Sequence, residues 1–127
     1  VASPSVGGSA VPATLANGGY YGGGHYQLHA QEERQAADGT VYRTGIQSAE
    51  WTWAGMGTAE WDWWMAQYAR GSAMPFELWR DDTKRKPISF TSGWLLEPKC
   101  DPDAEAGMYM RVKITITHLM PLLAPGA

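Results

Sequence analysis

His25 and His29 stand four residues apart, and in an extended segment that spacing puts both imidazoles on one face, where they could share a metal ion. No third ligand follows at a matching interval, so the two read as surface histidines. Asp101, Asp103 and Glu105 occupy alternate positions, as the oxygen ligands of a calcium loop do. An EF-hand loop needs glycine at its sixth position and a bidentate glutamate at its twelfth, but this segment has Ala106 and Val112 there, so a polar turn between strands is expected. Cys100 is the single cysteine; it can form no internal bridge and has no second thiol for a metal cluster or a redox pair. The chain has no Gly-x-Ser-x-Gly elbow, and Gly18-Gly19 and Gly22 to Gly24 are not followed by Gly-Lys-Ser/Thr, so neither a hydrolase nucleophile nor a phosphate loop is indicated. Carboxylate pairs for glycoside hydrolysis could be drawn from Glu50, Glu60, Asp62 and Glu77, but any acidic chain offers such pairs. No catalytic residue, cofactor or metal is therefore expected, and the chain does not read as an enzyme.

The elements that would carry these residues are mostly strands. His25 to Ala30 alternates weakly, and Gln31 to Gly39 is a polar excursion ending in an Asp-Gly turn signal, read as a long loop or hairpin tip. Thr40 to Arg43 and Ile46 to Ala54 resume β character, with Trp51 and Trp53 on one face. Gly55-Met56-Gly57 should break that strand, with Thr58 as N-cap of a helix running from Ala59 to about Arg70 and Gly71 closing its C-terminus. Trp61, Trp64, Met65 and Tyr68 form the apolar stripe of that helix, and Trp63 falls roughly 100° off it. Pro75 to Arg80 and Pro87 to Leu96 are further strands around a charged turn. In the last strand Met108, Met110, Val112, Ile114 and Ile116 face one way, while Tyr109, Arg111, Lys113, Thr115 and Thr117 face the other. The expected architecture is mainly β: an antiparallel β-sandwich or barrel of six to seven strands with one short flanking α-helix.

Length and composition narrow the function. The chain of 127 residues suits one domain, taken as residues 25–127, preceded by a Gly-rich segment, 1–24, that carries no charge and cannot build a core of its own. That segment reads either as a tail or as an extended arm lying on a neighbouring subunit. A net charge of −3 gives no field to hold nucleic acid. Val1-Ala2-Ser3-Pro4 shows neither a basic nor an apolar signal region, and the longest apolar run, Leu119 to Ala124, is far short of the ~20 residues that cross a bilayer, so no membrane partner is expected.

Seven tryptophans in a chain only 18% charged are the remaining signal. Trp51, Trp53, Trp63, Trp79 and Trp94 could form a platform that stacks on sugar rings, which would make the chain a carbohydrate-binding β-sandwich used for surface attachment. Aromatic residues among neutral polar ones also suit subunit interfaces, and Tyr20, Tyr21, Trp63, Trp79, Arg111 and Lys113 are the candidates for contact with other copies.

The Gly-rich start, the strand Glu50-Trp51-Thr52-Trp53, the helix holding Trp61-Asp62-Trp63-Trp64, the strand around Phe90 to Pro98 and the ending Tyr109 to Leu119 together resemble, over about Gly45 to Leu122, small structural proteins of tailed-phage virions. Tail-tube subunits are the nearest type. The resemblance implies a β-sandwich whose copies join edge to edge into hexameric rings, with Gln31 to Gly39 and Val1 to Gly24 as contacts between rings. It also implies assembly in the host cytoplasm, residence in the virion beside other virion proteins, and a negative lumen that lets DNA pass without specific binding. The tryptophan load exceeds what such a subunit needs, and a capsid decoration protein or a distal tail component fits as well.

Overall fold

The computed structural model describes residues 4–12, 15, 24–29, 32–79, 87–101 and 108–121. In chain order the elements are β1 (Ser5–Val6), β2 (Ser9–Ala10), β3 (His25–His29), β4 (Glu32–Gln35), β5 (Val41–Thr44), β6 (Ser48–Gly57), α1 (Thr58–Tyr68), β7 (Met74–Trp79), β8 (Pro87–Leu95) and β9 (Met108–Met120). Among the described residues seven strands form one antiparallel sheet in the order β2-β1-β7-β8-β9-β6-β3, and β4 pairs only with β5. Among the described residues the fold is mainly β and antiparallel with α1 flanking it, as the residue pattern implies.

Strand β9 follows its alternation closely. Val112, Ile114 and Ile116 are buried while Arg111 and Lys113 are exposed. The phase slips once, at His118 (φ +54), so that Leu119 is the next buried residue. Strand β8 serves two neighbours. Its first half pairs with β7 (Phe76↔Phe90, Leu78↔Ile88), and its second half pairs with β9 (Leu95↔Ile116). Register shifts fall at Met74/Phe76 and Ser92/Trp94, where irregular pairing bends strands. Gly93 lies at that bend: a Cβ there would sit 2.8 Å from Leu119 Cδ2 and 3.0 Å from the Phe76 ring, so the two sides close over a position that only glycine fills without displacement.

The roll of the sheet brings β3 against β7, its distant neighbour in the strand order. The Tyr26 hydroxyl donates to the Trp79 carbonyl at 2.7 Å. Trp51 and Trp53 stack at 4.7 Å, and Trp79, Trp64 and Tyr26 meet Trp51 edge-on at 5.0, 6.2 and 5.5 Å. These five rings are the centre of the core, each contact adding about 0.5–1.5 kcal/mol beyond the area it buries. Buried Gln47 ties the sheet's far end, its Nε2 donating to the carbonyls of Leu119 (2.7 Å) and Pro121 (3.0 Å).

The helix departs from expectation at both ends. Strand β6 runs on through Gly57, which is itself the extended N-cap with no side-chain cap bond, and Thr58 is already helical. The C-cap is Ala69, leaving Arg70 beyond the helix, and Gly71 (φ +59) donates to the Tyr68 carbonyl at 3.1 Å. Within α1 only Trp64 and Gln67 are fully buried; Trp61, Met65 and Tyr68 are half-buried. Trp61 stacks on Tyr109 of β9 at 4.5 Å.

Residues 4–12 and 15 lie on this same core. Strands β1 and β2 form a small hairpin that adds to the edge of β7 through Ser5↔Glu77 and Val6↔Phe76. Val6, Val11 and Leu15 are buried, at about 1.5–3 kcal/mol for each such side chain. Among the described residues the packing unit thus takes in residues 4–12 and 15 of the Gly-rich segment together with the strands from β3 onward. Among the described residues no helix is long and apolar enough to cross a membrane.

Candidate functional site

The aromatic residues divide sharply by exposure. Trp51, Trp53 and Trp79 are buried in the ring cluster and offer no face to a sugar. Trp79, expected at an interface, is 1% exposed: the sheet's curl closes Tyr26 and Trp51 over it. Trp63, expected to be the most exposed of the helix tryptophans, is half-buried and edge-on to Trp64 at 4.9 Å. Tyr20 and Tyr21 fall outside the described residues, as do Asp103 and Glu105.

Arg111 and Lys113 do project from the sheet. With Gly24, His25 and Thr52 they line an open groove of about 560 Å³. Arg111 holds a positive φ of 49° and pairs with Asp101. The Lys113 ammonium lies 3.6 Å from Glu50, whose other oxygen is 3.9 Å from His29 Nε2. Lys99 sits across the ladder from Lys113 and is held by Glu97 at 3.0 Å. Each cation here has its own carboxylate, so the face is polar and charge-balanced rather than a field for anions. His25 and His29 share this face, as their spacing requires. Among the described residues no group of three or more His, Cys, Asp or Glu could hold a metal ion.

The exposed apolar side chains gather elsewhere. Trp94 (45% exposed) and Leu96 lie along a groove of about 510 Å³ whose other walls are Tyr68, Met74 and Glu97. Met120, at the end of the adjacent strand, is also exposed. The second group is at the ribbon β4–β5, where Val41 is 62% exposed and Tyr42 is similarly open, as is Ile46 just after β5. This ribbon begins inside the excursion read as a long loop or hairpin tip, and of the two it is the hairpin, since Glu32–Gln35 is strand. Its turn is well made. Ala36 donates to the Thr40 carbonyl at 2.8 Å, Gly39 (φ +90) donates to Ala36 at 2.9 Å, and Asp38 accepts from the Thr40 N–H at 2.9 Å. The hydrogen bonds from Thr40 hold the Asp38 carboxyl below its usual range.

A two-stranded ribbon without a covered face is marginal in water, so open apolar residues on both of its sides call for a partner surface. Sequence patterning included Trp94 among possible sugar platforms but missed Val41, Tyr42, Ile46, Leu96 and Met120. The signal was present at Asp38-Gly39, a turn between two strands too short and too polar to build a core of their own around Val41 or Tyr42. Comparison of the chain with protein-family models, with curated proteins and with solved structures finds no match in any of the three.

Proposed function

We propose that this chain is a non-enzymatic structural subunit that works by associating with copies of itself, as a component of a phage tail or tail tube would. The observation that carries this reading is the β4–β5 ribbon, which among the described residues pairs only within itself, with Val41 and Tyr42 open to solvent and Ile46 open just beyond its end. Apolar side chains so placed gain by burial against another surface, about 25 cal/mol for each Å² covered. The open apolar line of Trp94, Leu96 and Met120 supports the same reading, since it gives one chain a second patch and so the means to bind two neighbours. In a tube the net charge of −3 suits a lumen through which DNA slides without being held. Negative-stain microscopy of the purified protein tests the proposal: rings or tubes are expected, and uniform small particles would overturn it.

A second reading rests on Trp94 alone. Its exposed ring beside Leu96 and Glu97 offers a stacking face with a hydrogen-bonding neighbour, which is what a sugar ring needs. Titration of tryptophan fluorescence with oligosaccharides tests it. A saturable change that Trp94→Ala removes supports carbohydrate binding, and no response at any sugar concentration counts against it.

A further inference from the structure

The N-terminal hairpin is a compact tongue seated in a slot. Gly7 (φ +57) and Gly8 (φ +88) make its turn, and Val11 N–H donates back to the Pro4 carbonyl at 3.0 Å, so the tongue is held together by its own bonds. The slot is the edge of β7 and the residue just beyond α1. Gly7 N–H donates to the Pro75 carbonyl at 2.7 Å, Arg70 Nη1 donates to the Gly7 carbonyl at 3.2 Å, and Val6 enters the core. Leu15 follows as a last anchor, its carbonyl accepting from Trp53 Nε1 at 3.2 Å.

What joins the tongue to the rest of the chain is longer than it needs to be. Leu15 sits on Trp53 Nε1, and Gly24 does too: a Cβ at Gly24 would lie 2.5 Å from that same nitrogen. Their Cα atoms are thus within ~10 Å of each other, whereas the nine Cα steps between them can extend to ~30 Å. Four of the eight intervening residues, 16–23, are glycine. Nine Cα steps close the tongue onto its own slot and can also place it on a neighbouring copy's slot that lies within ~30 Å.

Resting on the self-association reading above, we propose that in the assembly the tongue, residues 4–12 with Leu15, occupies the β7-edge slot of a second copy of this chain. Every contact it makes at home is remade there unchanged, because the donor and acceptor surfaces are identical in all copies. Exchange therefore trades no packing. The balance is set by the local concentration of neighbouring slots, which ring or tube contacts raise. The exchange links copies by a β-ladder and three buried side chains.

Two experiments decide it. In the first, Ser5→Cys and Glu77→Cys, a cross-strand pair, are introduced with Cys100→Ser, and purified particles are oxidised and run on a non-reducing denaturing gel. A ladder of covalently joined chains is expected. Intact particles giving only single chains, bridged or unbridged, overturn the exchange and leave self-association standing; if no particle forms with the unaltered chain either, both fall. The second leaves the slot untouched: deleting Gly18, Gly19, Gly22 and Gly23 cuts the reach to ~17 Å, still ample for closure at home. Loss of particles with an unchanged unfolding midpoint is expected, and particles of unaltered mass and yield overturn the proposal.

Discussion

The contact between Tyr26 and Trp79 joins the edge strand β3 to β7 across the rolled sheet, and Tyr26→Phe tests that roll in a way that local structure cannot imitate. The phenol is 1% exposed and donates to the Trp79 carbonyl at 2.7 Å. Removing the hydroxyl takes one donor from a carbonyl in an apolar setting and leaves the ring packing intact, a loss of about 1–2 kcal/mol at pH 7. Burial also pushes the Tyr26 phenol far above the ordinary tyrosine value. From about pH 10 upward the unfolded chain therefore releases this proton while the folded chain keeps it. The folded state then binds more protons than the unfolded state, and stability falls by about 1.4 kcal/mol for each pH unit. The Phe variant has no such proton to hold. Urea unfolding of both proteins should show the parent more stable at pH 7 and the difference shrinking to near zero by about pH 11.5. A difference that stays constant with pH, or is absent at pH 7, refutes a buried Tyr26 bridging β3 and β7.

Three further outcomes are expected. Trp64→Ala should cost about 3–5 kcal/mol as truncation of a fully buried ring, while Trp64→Phe should cost less than half of that, because the buried Trp64 Nε1 has no hydrogen-bond partner among the described residues and phenylalanine removes that orphan donor; chemical denaturation of both variants gives the comparison. Gly24→Ala should cost about 2–4 kcal/mol and alter the near-ultraviolet circular dichroism of the tryptophans, since Gly24 holds φ +73 and a Cβ there meets two indole nitrogens at 2.5 Å. Val41→Ser with Tyr42→Ser should leave the unfolding free energy within about 0.5 kcal/mol of the parent, because both side chains are exposed, yet lower the particle mass seen by light scattering.

What was legible in the sequence was whatever a local period encodes. The alternation of Met108 to Thr117 fixed the faces of β9, and the spacing of Trp61, Trp64 and Tyr68 located α1, though its ends moved because β6 feeds directly into it through Gly57. What was not legible depends on contacts between distant segments. Trp79 falls on the outward parity of β7, beside Pro75 and Glu77, and is buried only because the sheet curls until Tyr26 and Trp51 reach it. Val6, Val11 and Leu15 follow neither a helical nor a strand period, so composition marked their segment as unable to build a core without showing that it borrows one. The candidate surfaces were half legible. Arg111 and Lys113 point outward as their parity requires, but exposure of Val41 and Tyr42 follows from the ribbon's standing apart, a property of topology alone.

Sedimentation velocity of the purified, untagged protein across a wide concentration range puts self-association to its most direct trial. Discrete species many times heavier than the 13.9 kDa chain are expected, growing at the expense of the smallest as concentration rises. A single 13.9 kDa species at every concentration would contradict the proposal that this protein acts by joining copies of itself.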